Sequence, residues 1–193
     1  MKDPVHMPEL ATDVIWKNRL EQIGSEVDRI RFVDTVNGVN QDEEWCEVDA
    51  NGEKRRIRFH DYSDVFEVPG LYEELFYERL ECCSPSYISN LLESVVREYG
   101  ESIQDFRVID VGAGNGMMGD ELLGFGVRSI IGIDIIPAAK EATNRDRPDV
   151  YNDYFVADLT NLPEAEEEEL RRADANCMTT VAALGFGDIP PLA

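Results

Sequence analysis

The chain has 193 residues and a formal net charge of −22 at neutral pH, because 40 acidic residues outnumber 18 basic ones. This length suits one domain, or one domain with an appendage, and allows a sizeable apolar core. The negative charge repels nucleic acid and anionic membrane surfaces, so we disfavour polyanionic partners. The acidity fits either adaptation to salt or docking of a basic partner, and both explanations stay open.

Neither a membrane span nor a secretion signal is predicted. No apolar run reaches the roughly 18 residues of a membrane helix, and the N-terminus lacks a basic region followed by an apolar one. The four cysteines have no metal-ligand spacing, so we expect reduced thiols, no metal site and a cytoplasmic location.

Residues 1–84 are predicted to form a small α+β extension. Weak helical spacing covers residues 1–24, and a strand is expected over 30–33. Alternating apolar residues predict strands 45–49 and 56–60, joined across the hairpin-type dipeptide Asn51-Gly52. Helical stripes follow over 70–81. We interpret this extension as a cap that selects the substrate.

From Ser84 onward, the pattern changes to helices that alternate with short apolar strands. Ser84 and Pro85 predict the N-cap and first turn of a helix that ends at Gly100. Strands are expected over 106–111, 129–134, 154–157 and 176–181, with helices between them. This alternation predicts an α/β, Rossmann-like, doubly wound and mostly parallel sheet over residues 85–193.

The most distinctive stretch runs from Val108 to Gly116. A short apolar strand carries Asp110, and glycines follow at positions 112, 114 and 116 before a helical pattern begins. Glycine permits unusual backbone angles and lets a ligand approach the bare main chain. The dinucleotide fingerprint would need a third glycine where Met117 stands, and no Gly-Lys-Ser/Thr phosphate loop follows. We expect a ligand at the carboxyl end of this strand.

Two further acids follow later strands. Asp134 closes the second strand of the alternation, 22 residues after Gly112. An acid at this place can accept both ribose hydroxyls of an adenosine ligand. Asp158 follows the third strand, where it fits either a ligand contact or an aspartate that caps a turn.

The acid-and-glycine motif followed by Asp134 resembles the class I S-adenosylmethionine-dependent methyltransferases, over about residues 85–191. The resemblance implies that Asp110 fixes the amino group of the cofactor, that Ile135 lines the adenine slot, and that Asp158 contacts adenine. The implied residues for binding S-adenosyl-L-methionine are Asp110, Gly112, Ala113, Gly114, Gly116, Asp134, Ile135, Asp158 and Leu159. The resembled fold continues beyond a fourth strand, so we expect a truncated chain with an exposed sheet edge through which copies could associate.

The activity implied by the resemblance is methyl transfer by in-line displacement to a small molecule or a protein. A sulfonium leaves readily, so positioning matters more than acid–base groups. His60, as a general base, and Asp188 are weak catalytic candidates. The stretch from Asp188 to Pro191 resembles a motif of nucleic-acid amino-methylating enzymes but lacks its aromatic residue, which, with the acidity, disfavours a nucleobase target.

Two other functions stay open. The first is a non-catalytic adenosyl-ligand-binding or assembly protein, which fits the missing strands and the acidic surface. The second is a nicotinamide-dependent oxidoreductase, which would need a glycine in place of Met117.

Overall fold

The computed structural model describes residues 30–32, 43–50, 53–184 and 189–191. Within these ranges the chain forms a three-stranded antiparallel sheet followed by a four-stranded parallel sheet with helices. The helical pattern predicted for residues 1–24, the turn at Asn51-Gly52 and Asp188 lie outside the described residues. No helix of the described part is long and apolar enough to cross a membrane.

The small sheet contains β1 (Ile30–Phe32), β2 (Trp45–Ala50) and β3 (Glu53–Arg58). The predicted antiparallel strands are confirmed, with Cys46 paired to Ile57. β3 begins earlier than predicted because its pairing with β2 continues as far as Ala50 and Glu53, beyond the apolar alternation. The apolar side chains on one face of β2 and β3 pack against the helices that follow.

Two short helices connect the sheets. α1 covers Tyr62–Glu67, and α2 (Leu71–Glu73) continues as a π-helix over Glu74–Arg79. The helix predicted for 70–81 is therefore present with a wider second half, whereas α1 was not predicted, because six residues are too few to show a helical period. Phe66 of α1 shares a buried cluster with Ala113 and Ala139 of the second half of the chain.

α3 (Ser84–Glu98) is the longest helix of the described part. Pro85 lies in its first turn as predicted, but Ser84 is already helical, so the residue at the N-cap is Cys83 and the predicted serine cap is wrong. Gly100, with φ of +74°, follows the end of the helix. The predicted apolar face is only partly covered. Ile88, Leu92 and Val96 pack on the core, whereas Leu91, Val95 and Tyr99 are exposed.

The second sheet contains β4 (Arg107–Val111), β5 (Ser129–Asp134), β6 (Asp153–Val156) and β7 (Cys177–Thr180). All its strands are parallel and lie in the order β6–β5–β4–β7. The connecting helices are α4 (Met117–Gly124), α5 (Pro137–Asp146) and α6 (Glu164–Arg172). The predicted Rossmann-like α/β fold is confirmed. Among the described residues, β7 is an edge strand that pairs with β4 alone.

Apolar clusters cover both faces of the parallel sheet. On one face, Val108 and Ile130 pack with Leu122 of α4 and with α3. On the other, Ile133 and Phe155 pack with Leu170 of α6. β5 and β6 lie on one side of β4 and β7 lies on the other, so the strand order reverses between β4 and β7. Ligands of open α/β sheets bind in the crevice at such a point.

Candidate functional site at the ends of the parallel strands

A cavity of about 200 Å³ lies at the carboxyl ends of β4, β5, β6 and β7. Its lining includes six of the residues predicted from the sequence to hold a cofactor: Gly112, Gly114, Asp134, Ile135, Asp158 and Leu159. The other predicted residues, Asp110, Ala113 and Gly116, do not line it. The fold thus brings together side chains and backbone from three loops that are far apart in sequence.

The three glycines after β4 are required by the local geometry. Gly112, Gly114 and Gly116 have φ values of +71°, +53° and +91°, a region that side chains disfavour. A Cβ at Gly112 would also collide with the Cβ of Ala183, and one at Gly116 would lie 3.1 Å from Val150. The loop therefore presents bare main chain to the cavity.

The amide groups of this glycine loop donate their hydrogen bonds within the protein. The amides of Gly112 and Ala113 donate to the carbonyl of Ile133 at 2.9 and 3.0 Å, and that of Gly116 donates to Ala113 at 3.0 Å. The amide of Gly114 donates to Oδ2 of Asp134 at 2.8 Å. These donors do not converge on one point in the cavity, as a loop that cradles phosphate would require.

Asp134 stands at the end of β5 and holds the backbone on both sides of it. Its Oδ2 accepts from Gly114, and its Oδ1 accepts from the amide of Ile136 at 2.9 Å. Burial raises the pKa of Asp134, and these backbone hydrogen bonds oppose the rise. Each carboxylate oxygen can accept a second hydrogen bond, so Asp134 keeps capacity for the hydroxyls of a ligand in the cavity.

Asp158 lines the cavity and also caps a short helix. It caps the short 3₁₀ helix Leu159–Asn161, where its Oδ1 accepts from the amide and the hydroxyl of Thr160 at 2.8 and 2.7 Å. These hydrogen bonds lower the pKa of the carboxyl. The turn-capping interpretation of Asp158 is therefore confirmed, and its predicted contact with adenine stays a prediction.

Asp110 lies outside the cavity, although the resemblance implies that it binds the cofactor. Its carboxylate is buried and accepts hydrogen bonds from the hydroxyls of Tyr151 at 2.7 Å and Thr179 at 2.8 Å. Burial raises the pKa of Asp110 to about 6 despite these two bonds. In this position Asp110 links β4 to β7, and a direct contact with a ligand would require it to leave these partners.

Three aromatic rings form one wall of the cavity, and we call Tyr62, Phe66 and Tyr72 the aromatic wall. Phe66 stacks on Tyr62 at a centroid distance of 6.3 Å and on Tyr72 at 5.1 Å. The ring of Phe66 also approaches to 3.4 Å of where a Cβ at Gly114 would stand. Tyr62 and Phe66 were not predicted to line the site, and their one signal in the sequence was the spacing of four between them.

Charge in the cavity has a single sign. Among the described residues that line it, Asp134 and Asp158 are the only charged side chains. The weak candidate His60 is not in the lining, and its Nδ1 lies 3.3 Å from the hydroxyl of Tyr62. In the described part of the chain, no group of three potential metal ligands is found. The site therefore suits a neutral or cationic ligand better than an anion.

Residues that follow β7 also line the cavity. They are Val181, Ala182, Ala183, Ile189 and Pro190. The volume of about 200 Å³ lies below the roughly 300–1,000 Å³ typical of small-molecule sites. A ligand the size of a substituted nucleoside must therefore displace part of this lining or extend out of the mouth.

Comparison with known proteins finds a partial structural similarity. No family model matches the sequence, and no curated protein matches it. Among solved structures, the chain is similar to PH1948 from Pyrococcus horikoshii, described as a candidate RNA methyltransferase, at 18% identity and a TM-score of 0.35. The similarity covers 50% of this chain and 60% of that one.

Proposed function

We propose that this protein is an S-adenosylmethionine-dependent methyltransferase that acts on a small molecule or a protein. One observation carries the proposal. The predicted residues Gly112, Gly114, Asp134, Ile135, Asp158 and Leu159 meet in a single cavity at the point where the strand order reverses. A strand-end carboxylate beside bare backbone suits the ribose of a nucleoside ligand.

The electrostatics of the cavity favour a sulfonium compound over a dinucleotide. A dinucleotide needs donors or cations for its pyrophosphate, but the amides at positions 112, 113, 114 and 116 already donate to protein acceptors. Asp134 and Asp158 would also repel phosphate. A ligand with sulfonium and ammonium groups meets carboxylates and aromatic faces instead, both of which attract cations.

S-adenosylmethionine, when bound, would supply both the methyl group and a good leaving group. Asp134 would hold the ribose hydroxyls, and Ile135 and Leu159 would flank the adenine. The glycine loop would let the ligand approach the bare main chain, and the aromatic wall would shield the neighbouring space from water. These residues act by orienting the reactants, which contributes roughly 7–11 kcal/mol in well-aligned reactions.

Calorimetric titration of the full chain tests the proposal. S-adenosylmethionine and S-adenosylhomocysteine should each bind with one-to-one stoichiometry, whereas NAD should give no heat of binding. Transfer of a labelled methyl group to an acceptor then separates an enzyme from a non-catalytic binder. Binding of NAD without binding of either adenosyl compound would overturn the proposal.

A further inference from the structure

We propose that the methyl acceptor is an amine, bound as an uncharged nucleophile between the aromatic wall and the end of β7. This inference rests on the proposed function, because it names the substrate class of the same cavity. It follows from the described side chains that line the cavity, because they include no base suited to an alcohol and no cation to balance an anionic acceptor.

No described residue of the lining is suited to deprotonate an alcohol. Asp134 and Asp158 accept backbone hydrogen bonds, and carboxylates are weak bases toward a hydroxyl. Tyr72 is no substitute, because burial raises its pKa and keeps the phenol protonated. An acceptor must therefore attack without the help of a base, as the lone pair of a neutral amine can.

Anionic acceptors are disfavoured by the same lining. A thiolate or a carboxylate would lie beside Asp134 and Asp158, with no described lysine, arginine or histidine in the lining to balance the charge. Aromatic faces attract cations and not anions. The aromatic wall thus favours the positive charge that develops on nitrogen as a methyl group is transferred.

Tyr72 offers the acceptor a polar contact. It lines the cavity, and its hydroxyl has no hydrogen-bond partner within the described residues. Its ring is fixed between Phe66, at 5.1 Å, and Phe76, at 4.6 Å. A protonated hydroxyl held in this way can bond an amine acceptor or a polar atom next to its nitrogen.

Methyl transfer from sulfur to a neutral amine needs no further reagent. The lone pair of the neutral amine forms the new bond to carbon, and the bond from that carbon to sulfur breaks. The bonding electrons stay on sulfur, which changes from sulfonium to thioether. The N-methylammonium product then releases a proton to solvent if it carries one.

Binding of matched probes to the full chain, saturated with S-adenosylhomocysteine, tests the inference. Choline, a quaternary ammonium cation, represents the positive charge that methyl transfer creates on nitrogen, 3,3-dimethylbutan-1-ol is its uncharged isostere, and 3,3-dimethylbutanoate is an anion of similar shape. We expect choline to bind at least about five-fold more tightly than the alcohol, a ratio typical of cation–aromatic attraction, and the anion to bind most weakly. Tyr72→Leu should remove most of the preference, and Tyr72→Phe should keep it.

The control is Tyr87→Leu, because Tyr87 is an exposed aromatic residue of α3 outside the cavity. It should match the unmodified protein in all three titrations. If Tyr72→Leu does not fold, Tyr62→Leu tests the same wall. Equal binding of choline and the alcohol, with S-adenosylhomocysteine bound, would overturn the amine inference alone. Failure of S-adenosylhomocysteine to bind would overturn the proposed function, and this inference with it.

Discussion

Glu73 and Arg147 form a buried ion pair behind the glycine loop. Nη1 of Arg147 donates to Oε1 of Glu73 at 2.7 Å, and the side chains are 0% and 1% exposed. The same Glu73 oxygen accepts from the amide side chain of Asn115 at 2.8 Å, and Arg147 donates to the Asn115 carbonyl at 3.2 Å. The pair therefore joins α2, which carries Tyr72, to the loop that faces the cavity.

Removal of one charge from this pair should destabilise the protein strongly. Glu73→Gln removes the carboxylate that is hydrogen-bonded to buried Arg147 and leaves it the longer ion pair with Asp120, at 3.5 Å. We expect a loss of up to about 3–5 kcal/mol in the free energy of unfolding. Urea unfolding measures this loss. The exposed residue Glu78 provides the control, because Glu78→Gln should change stability by less than about 0.5 kcal/mol. Equal effects of the two variants would contradict the structural role of the pair.

Gly114→Val should abolish binding of S-adenosylhomocysteine. The φ of +53° at Gly114 is strained for a β-branched residue, and its Cβ would face Phe66 at 3.4 Å. Calorimetry measures binding, and far-UV circular dichroism should stay nearly unchanged. Gly124→Ala is the matched control. Its Cβ meets no atom within 4 Å in α4, so the variant should bind normally and gain up to about 1 kcal/mol of stability. Retained affinity in Gly114→Val would argue against the proposed pocket.

Asp134→Ala should weaken the binding of S-adenosylmethionine by about 1.5–3 kcal/mol, as expected for lost hydrogen bonds to a charged group. Part of the loss would arise because Asp134 also holds the amide of Gly114. Asp105→Ala removes an exposed carboxylate outside the cavity and should leave affinity unchanged. A change of only a few tenths of a kcal/mol in Asp134→Ala would be incompatible with contact to the ribose.

Asp110 should make stability fall as pH rises. Its pKa is raised from 3.8 to about 6 in the folded protein, chiefly by burial. Between these values the folded state retains a proton that the unfolded state has lost, so stability decreases through this window. About one pH unit of this window lies above pH 5, and one pKa unit corresponds to 1.36 kcal/mol. Between pH 5 and pH 8, the free energy of unfolding of Asp110→Asn should therefore rise by about 1.4 kcal/mol relative to that of the unmodified protein.

Urea unfolding of both proteins at the two pH values measures this difference. Carboxylates other than Asp134, whose charge interacts with Asp110, titrate alike in both proteins, so their contributions cancel in the comparison. A pH-independent difference between Asp110→Asn and the unmodified protein would mean that Asp110 is ionised in the fold throughout this range.

The sheet could be predicted because its determinants are local. Each strand of the second sheet is a short apolar run between helical patterns, and this alternation predicts parallel strands joined by right-handed crossovers. The glycine loop could be predicted for a similar reason. Gly112 and its neighbours require positive φ values, and few residues besides glycine adopt them easily. Asp134 followed from its place at the end of β5.

The aromatic wall and the buried ion pair depend on contacts between distant residues. Glu73 and Arg147 are 74 residues apart, and in sequence each resembles an ordinary surface charge. Tyr62 and Phe66 belong to a helix too short to show a period. Asp110 was assigned to the cofactor because its neighbours in sequence fit the motif, yet its side chain bonds Tyr151, which lies 41 residues away.

Determination of a crystal structure with S-adenosylhomocysteine tests the central claim most directly. We predict electron density for the ligand over the glycine loop, with its ribose hydroxyls within hydrogen-bond distance of Asp134 and its adenine between Ile135 and Leu159. Val181–Ala183 or the segment at Ile189 should have shifted to admit the ligand. A cavity still filled by Ala183 and Phe66, at ligand concentrations that saturate other adenosyl-binding proteins, would contradict the assignment.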